Sequence, residues 1–254
     1  MSPARISVVA ALALLGACRS GPPPAIDPAL AELIPPEATI LAGVNLGHLR
    51  ASPLRQQFPA AVSALLDSLA AAQSVLIASD GTRYLVLTRG AAPTGATALG
   101  RGLAGSGSAD WLRAAASPHS GGRNVLLPRA EPIAASADIW IAAAGNANLP
   151  VSGNGENLNN LLHSTQYATL SVRLADSVAL EANGMCSGAE PARHLEETVR
   201  AFVSIGAGAT ARQPGLSGLL RRVRVTRDGR TIHVNLAVEA VELTAVLKLF
   251  GVGS

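Results

Sequence analysis

The chain has 254 residues, a formal net charge of +3, 48% apolar residues and 15% charged residues. This length suits one large or two small domains, and the apolar fraction is sufficient for a buried core. The charge is too small to indicate the concentrated basic surface of a nucleic-acid-binding protein, so no nucleic-acid partner is predicted.

The N-terminus has the pattern of a secretory signal. Arg5 supplies a positive charge, and an uncharged stretch runs from Ile6 to Ala17. A helix of about 12 residues rises about 18 Å, whereas a bilayer core requires about 20 residues. The stretch is therefore too short for a permanent transmembrane anchor, and we predict a signal peptide over residues 1–17.

The end of this stretch resembles the lipobox of bacterial lipoproteins, because Leu15, Gly16 and Ala17 are followed directly by Cys18. The resemblance implies that the Cys18 sulfur receives a diacylglyceryl group, that Cys18 becomes the mature N-terminus, and that its amine is later acylated, for example with palmitate. Arg19 replaces the Asp that would retain a lipoprotein in the inner membrane. The resemblance thus implies the periplasmic face of the outer membrane. The alternative is an ordinary signal peptide followed by a chance cysteine.

A proline-rich segment separates Cys18 from the folded part. Residues 18–36 contain Pro22, Pro23 and Pro24, and this composition is typical of a semi-extended tether. We predict a first α+β half over residues 37–160, with irregular loops rich in Gly, Ala and Asn, and a second α+β half over residues 161–254.

Each predicted half ends in a hairpin signal. Asp80-Gly81 and Asp228-Gly229 each lie between apolar runs, and Asp-Gly favours a two-residue turn. Such turns would pair Ile77 with Tyr84 and Val225 with Ile232, and would place His233 opposite Arg224. The sequence therefore predicts an α+β fold with mainly antiparallel sheets and packed helices, built from two diverged halves.

The remaining elements are predicted from periodicity and from Gly, Pro and Asn content. A helix over Glu190–Val203 carries Glu196 four residues before Arg200, a spacing that favours an ion pair. The other predictions are strands at Ala38–Leu46, Val125–Leu127, Ile139–Ala143 and Ala168–Arg173, helices near Trp111 and over Val241–Phe250, and a polar loop over Asn146–Asn160.

No residue pattern indicates a particular reaction. A G-x-G-x-x-G match begins at Gly100, but the sequence predicts no strand directly before it and no acidic residue follows at the required distance. The sequence lacks G-x-S-x-G and S-x-x-K. Glu190, His194 and Glu197 share a helix face and are the first suspects if the chain is an envelope hydrolase. No catalytic residue, cofactor or metal ligand is assigned.

Two further features concern single residue types. With Cys18 acylated, Cys186 has no disulfide partner, and we interpret it as a buried, inert thiol rather than a reactive one. Arginines crowd the second hairpin, and they indicate either a protected sheet edge or a surface for an anionic envelope lipid or polymer. The predicted surface comprises Arg222, Arg224, Arg227 and Arg230.

The start of the folded part is similar to uncharacterised secreted bacterial proteins and lipoproteins. The segments Leu33–Leu46 and Leu49–Leu54 share their opening, in which Pro, an acidic residue and Ala precede an apolar strand and a short helix. That group supplies no residue roles. We therefore predict a membrane-tethered binding or scaffold module of the cell envelope, with an envelope protein or anionic polymer as its partner. An envelope hydrolase whose site is assembled only in the fold is the alternative.

The lipid tether is directly testable. We expect Cys18→Ser to abolish acylation and release a folded, soluble protein, because two or three acyl chains are required for stable anchoring. Membrane and soluble fractions would be compared by immunoblot after a high-salt wash. Retention of the variant in the washed membranes would contradict the tether.

Overall fold

A computed structural model describes residues 25–58, 60–90, 92–117, 124–149, 155–210, 212, 214–239 and 242. Cys18, the rest of the predicted tether up to residue 24, and nearly all of the helix predicted over Val241–Phe250 lie outside these residues. Residues 25–36, predicted as part of the tether, belong to the fold instead, because apolar side chains such as Ile26 and Leu30 are buried in the core. The strands are β1 (Ile40–Val44), β2 (Ala72–Ser79), β3 (Tyr84–Gly90), β4 (Thr97–Gly100), β5 (Leu103–Gly107), β6 (Ile139–Ala144), β7 (Tyr167–Leu174), β8 (Ser177–Met185), β9 (Arg224–Asp228) and β10 (Thr231–Glu239).

The described α-helices lie before the first strand and between later strands. They are α1 (Pro28–Ala31), α2 (Leu46–Ala51), α3 (Ala60–Ser68), α4 (Ala109–Ala116), α5 (Leu127–Ala134), α6 (Gly155–His163), α7 (Ala189–Ala209) and α8 (Pro214–Arg222), with a 3-10 helix at Pro53–Gln57. Ser52 caps this 3-10 helix: its hydroxyl accepts a hydrogen bond from the Leu54 N–H at 3.2 Å.

All ten strands belong to one sheet, in the order β4-β5-β3-β2-β1-β6-β7-β8-β10-β9. Every neighbouring pair is antiparallel. The predicted α+β class with antiparallel strands is therefore confirmed. The β6–β7 ladder joins residues 40–144 to residues 167–239, so the two predicted halves share a single sheet, and their common origin stays a prediction.

The two faces of this sheet are covered differently. Side chains alternate between faces along a strand, and directly paired residues share a face. On what we call the first face, Leu41 and Trp140 pack under α1, α4 and α5. On the opposite, second face, the helices α2, α3, α6, α7 and α8 cover the sheet from β3 to β9.

The first hairpin has a longer turn than predicted. β2 and β3 pair Ser79 with Tyr84, so Ile77 lies opposite Val86 rather than Tyr84. The cause is Asp80, whose Oδ1 accepts hydrogen bonds from the backbone N–H groups of Thr82 (2.9 Å) and Arg83 (2.7 Å). This side-chain-stabilised turn competes with the two-residue turn and shifts the register.

The second hairpin is also shifted from the prediction. Asp228 pairs with Thr231, so Gly229 and Arg230 form the turn and Val225 pairs with Val234. Gly229 has φ +54°, whereas Arg230 does not have a positive φ. This is the type II′ pattern, which requires positive φ at its first central residue alone. The shift places Thr226 rather than Arg224 opposite His233.

Other sequence predictions fail where side chains form local turns. The segment Val125–Leu127 is not a strand, because the Asn124 Oδ1 accepts the Leu126 N–H at 2.9 Å and α5 begins at Leu127. The predicted polar loop over Asn146–Asn160 ends early, at α6. Strands β4, β5 and β8 were not predicted, because they are rich in Gly, Ala and polar residues that carry little strand signal.

A close contact between β1 and β6 holds the centre of the first face. Gly43 pairs with Trp140, and the indole lies directly against the Gly43 backbone. A Cβ added at Gly43 would approach the Trp140 Cε2 atom to 2.4 Å. Only glycine leaves room for the indole at this point of the sheet.

We expect Gly43→Ala to lower the free energy of unfolding by about 1–3 kcal/mol, because the added methyl group displaces a packed indole. Urea unfolding followed by circular dichroism measures this change. Gly47→Ala is the control, since Gly47 lies on the exposed side of α2 and its added Cβ would meet nothing closer than 3.5 Å. Equal stability of both variants would show that the indole contact is dispensable.

Candidate anionic-ligand cleft

A cleft of about 660 Å³ opens where α7 and α8 meet the edge strand β9. Apolar side chains from the two helices and the strand form much of its wall. Its cationic lining residues are Arg200, Arg221 and Arg224, and none of the described residues that line it is acidic. The cleft therefore combines an apolar wall with positive charge.

The amphipathic pattern of α7 positions this cleft. Leu195 is buried against Ile232 of the sheet, with Val199 packed beside them, so this face of α7 lies on the second face of β10. The Ser217 hydroxyl of α8 donates a hydrogen bond to the Ala207 carbonyl at 3.0 Å and links the two helices.

Arg200 connects α7 to the sheet edge. Its Nη2 donates to the Glu196 Oε1 and to the Val225 carbonyl, both at 2.8 Å. The carbonyl of an edge strand has no ladder partner on its outer side, and the guanidinium satisfies it. The ion pair with Glu196 matches the helix spacing seen in the sequence.

The structure separates the four predicted arginines. Arg227 extends from the second face and pairs with Glu196 at 3.1 Å, and Arg222 ends α8 and pairs with Glu242. Arg224 extends from the first face and lines the cleft, whereas Arg230 lies in the turn. The four do not share one surface, because strand alternation and the end of α8 direct them apart.

Between residues 221 and 230, three exposed arginines have no carboxylate partner among the described residues: Arg221, Arg224 and Arg230. Arg221 and Arg224 line the cleft, and Arg230 does not. The sequence indicates a high density of arginines, but it does not identify Arg200 or Arg221 as lining a cleft. The four-residue spacing between Glu196 and Arg200 predicts their ion pair and reveals nothing about the cleft.

The suspected hydrolase cluster is an exposed ion-pair network. The imidazole of His194 is 67% exposed and lies 3.9 Å from Glu190 and 3.8 Å from Glu197. Both carboxylates pair more closely with Arg193, at 3.0 and 2.7 Å. The Arg193 guanidinium holds the pKa of Glu190 below its usual range. Among the described residues, no cluster of His, Cys, Asp and Glu could hold a metal ion.

A histidine–aspartate pair that the sequence did not reveal lies at the start of β6. The Nδ1 of His48 is 3.0 Å from the Asp138 Oδ1, although the residues are far apart in sequence. Such a pair orients an imidazole, as in hydrolytic triads. The nearby Ser52 hydroxyl is buried, donates to the Leu174 carbonyl and caps the 3-10 helix, so it is not directed at the imidazole as a nucleophile.

Cys186 is fully buried, beside Ile232 and Leu195. Its backbone N–H donates to the Arg230 carbonyl at 2.9 Å. Burial raises the pKa of the thiol, which disfavours the reactive thiolate. This environment agrees with the inert thiol expected from the sequence.

The comparisons with known proteins identify solved structures of similar fold but no matching family. No protein-family model and no curated protein matches the chain. Crystal form III of the treponemal protein TP0453 superposes with a TM-score of 0.50 and 9% identity, covering 86% of this chain and 97% of that chain. Crystal form I gives a TM-score of 0.46 at 9% identity, covering 89% of this chain and 98% of that chain.

Within the described residues, no helix is long and apolar enough to cross a membrane.

The burial of Cys186 predicts its reactivity. In the Cys18→Ser protein, Cys186 is the only thiol, and we expect it to react with Ellman's reagent at least about tenfold more slowly in the native state than in urea. Equal rates in both conditions would contradict the buried environment.

Proposed function

We propose that this protein is a lipid-anchored module of the cell envelope that binds an anionic, amphiphilic ligand in the cleft between α7, α8 and β9. The ligand carries a phosphate or carboxylate headgroup and an apolar portion, as envelope lipids and lipid-linked polymers do. An envelope protein can present the same chemistry, and the module then acts as a scaffold.

The anchor is supported by the sequence. The stretch from Ile6 to Ala17 and the following Cys18 resemble a lipobox, and Arg19 favours the outer membrane. The described residues resemble the fold of TP0453, a membrane lipoprotein, and this resemblance supports an envelope location in the coarse sense only. The periplasmic face of the outer membrane is proposed from Arg19 alone.

The class of ligand is inferred from the residues that line the cleft. Arg221 and Arg224 are exposed and have no carboxylate partner among the described residues, whereas Arg222 forms an ion pair with Glu242 and Arg227 forms one with Glu196. Arginine is suited to phosphate and carboxylate groups because its planar fork donates two parallel hydrogen bonds.

The apolar part of the cleft favours anions that carry an apolar group. Val203 and Ala207 of α7 face Leu220 and Val223 across it. Burial of apolar area contributes about 25 cal/mol per Å², so an attached acyl chain adds affinity that inorganic phosphate lacks. The geometry therefore favours an amphiphile over a free anion.

Isothermal titration calorimetry with octyl phosphate tests this proposal on the full chain carrying Cys18→Ser. We expect the double variant Arg221→Glu, Arg224→Glu to bind at least about tenfold more weakly, because hydrogen bonds to charged groups contribute about 1.5–3 kcal/mol each. Affinity of the parent chain should also decrease with salt.

Arg230→Glu is the matched control, since Arg230 is equally exposed on the same hairpin but lies outside the cleft. It should bind octyl phosphate as the parent does. Inorganic phosphate and octyl glucoside should both bind more weakly than octyl phosphate. Equal loss in the control, or equal binding of octyl glucoside, would refute the cleft as an anionic-amphiphile site.

A further inference from the structure

The backbone of the edge strand β9 presents groups to the anionic-ligand cleft in a direction that the hairpin turn fixes. The two-residue turn makes Asp228 and Thr231 a hydrogen-bonded pair. Along an antiparallel ladder such pairs alternate with pairs whose backbone groups point away from the neighbouring strand. Counting back from the turn, Arg227 and Val225 therefore direct their N–H and C=O groups outward. Val225 lines the cleft, so its outward groups face the cleft.

Two contacts support this direction. The Val225 carbonyl accepts the Arg200 Nη2 at 2.8 Å from outside the ladder. Val223, two residues before Val225, donates its N–H outside the ladder to the Leu220 carbonyl at 3.2 Å. The outward N–H of Val225 has no acceptor among the described residues. The strand edge thus presents a backbone donor to the cleft, next to a carbonyl that Arg200 already satisfies.

Two arginines lie on opposite sides of this donor. Side chains alternate across the sheet, so Arg224 extends from the first face. Arg221 belongs to α8, which covers the second face, and both arginines line the cleft. The Val225 N–H points outward in the plane of the sheet between them. A headgroup at this edge therefore lies between two guanidinium groups, with a backbone donor beside it.

The charges at the cleft require more than one negative charge for balance. Arg221 and Arg224 have no carboxylate partner among the described residues, and none of the described lining residues is acidic. Glu196 does not offset them, because it pairs with both Arg200 and Arg227. A carboxylate ligand carries one negative charge, whereas a phosphate monoester carries about 1.5–2 at pH 7. The monoester therefore matches two unpaired guanidinium groups.

The arrangement of donors indicates the same headgroup. A guanidinium fork donates two parallel hydrogen bonds, and one fork engages both oxygens of a carboxylate. A second fork and the Val225 N–H, which approach from other directions, would then compete for the same two oxygens. The three terminal oxygens of a phosphate monoester are strong acceptors and point in different directions. A phosphate therefore accepts hydrogen bonds from all three groups at once.

We propose that the headgroup bound in this cleft is a phosphate monoester, held by Arg221, Arg224 and the backbone N–H of Val225. This inference rests on the proposed function and narrows its ligand to an amphiphile that ends in a phosphate. The apolar portion of the ligand lies along Val203 and Leu220, which line the cleft. A lipid with a terminal phosphate has this chemistry.

Isothermal titration calorimetry on the full chain carrying Cys18→Ser compares octyl phosphate with octyl sulfate and nonanoate, which have equal alkyl chains. Octyl sulfate has three terminal oxygens but one charge, and nonanoate has two oxygens and one charge. We expect octyl phosphate to bind at least about tenfold more tightly than nonanoate, because hydrogen bonds to charged groups are the strong ones and the phosphate makes more of them. Octyl sulfate should bind with intermediate affinity.

The ratio of the two affinities is the readout for the variants. Arg224→Gln removes one of the two unpaired charges, so the preference for octyl phosphate over nonanoate should fall from at least about tenfold to below about threefold. Arg230→Gln makes the same change on the same hairpin outside the cleft and should keep the preference of the parent.

A ¹⁵N–¹H spectrum tests the backbone contact. Octyl phosphate should move the Val225 amide signal in a saturable manner. The Arg227 amide is the reference, because it has the same outward direction but lies outside the cleft, and its signal should stay in place.

Three results would overturn the phosphate assignment: equal binding of octyl phosphate and nonanoate, an unchanged preference in Arg224→Gln, or a Val225 amide signal that stays unmoved at saturation. Loss of all binding in the double variant Arg221→Glu, Arg224→Glu would still uphold the proposed function in those cases. If none of the three compounds binds the parent chain, both the proposed function and the phosphate assignment are wrong.

Discussion

The alternation of side chains across one continuous sheet is the constraint on which the rest of this structure depends. Because all neighbouring pairs are antiparallel, one register assigns every strand residue to the first or second face. The described helices cover the second face from β3 to β9, and they cover the first face over the early strands alone. Beyond β7, the first face therefore carries polar residues such as Asn183 and His233, which hydrogen-bond to each other.

An open sheet also has two edges, and the edge formed by β9 accounts for some of the arginines near it. Within the described part of the chain, β9 has a ladder partner on one side only, and exposed edges are commonly protected by charged side chains. Arg200 satisfies an outer carbonyl of β9, and Arg227 pairs with Glu196 of the covering helix. These two arginines therefore have structural roles. Arg221 and Arg224 have no comparable partner among the described residues, which is why we propose that the ligand contacts these two rather than the whole basic group.

How much of this structure the sequence reveals depends on the distance over which the determining interaction acts. The class of fold, the strands near residues 139 and 168 and the helix over α7 follow from local periodicity, and the structure contains them. The hairpin registers do not, because the carboxylate of Asp80 and the positive φ of Gly229 select turns that the dipeptide Asp-Gly alone does not specify.

The candidate site is harder to predict from the sequence, because it depends on contacts between residues that are distant along the chain. Arginine density is visible in one segment, but the ion pairs of Arg222 with Glu242 and of Arg227 with Glu196 depend on the packing of helices against the last strands. The position of the Trp140 indole depends on Gly43, a partner nearly a hundred positions away, because the indole occupies the place that a side chain at Gly43 would take. Nothing in the local sequence around either residue indicates this contact.

The position of the cleft relative to the predicted anchor constrains what the cleft can reach. Ile26, near the start of the described chain, lies beside β2. Strands are spaced about 4.8 Å apart, so the six steps from β2 to β9 separate Ile26 from the cleft by about 29 Å across the sheet. The chain between Cys18 and residue 25 spans at most about 25 Å even when fully extended. If Cys18 carries the lipid, as we propose, the β2 side of the sheet stays within this reach of the membrane surface. The cleft at β9 has a wider range, because rotation of the sheet about the tether carries it toward the bilayer or away from it. The ligand that we propose for the cleft can therefore be taken from the membrane or from the space beyond it.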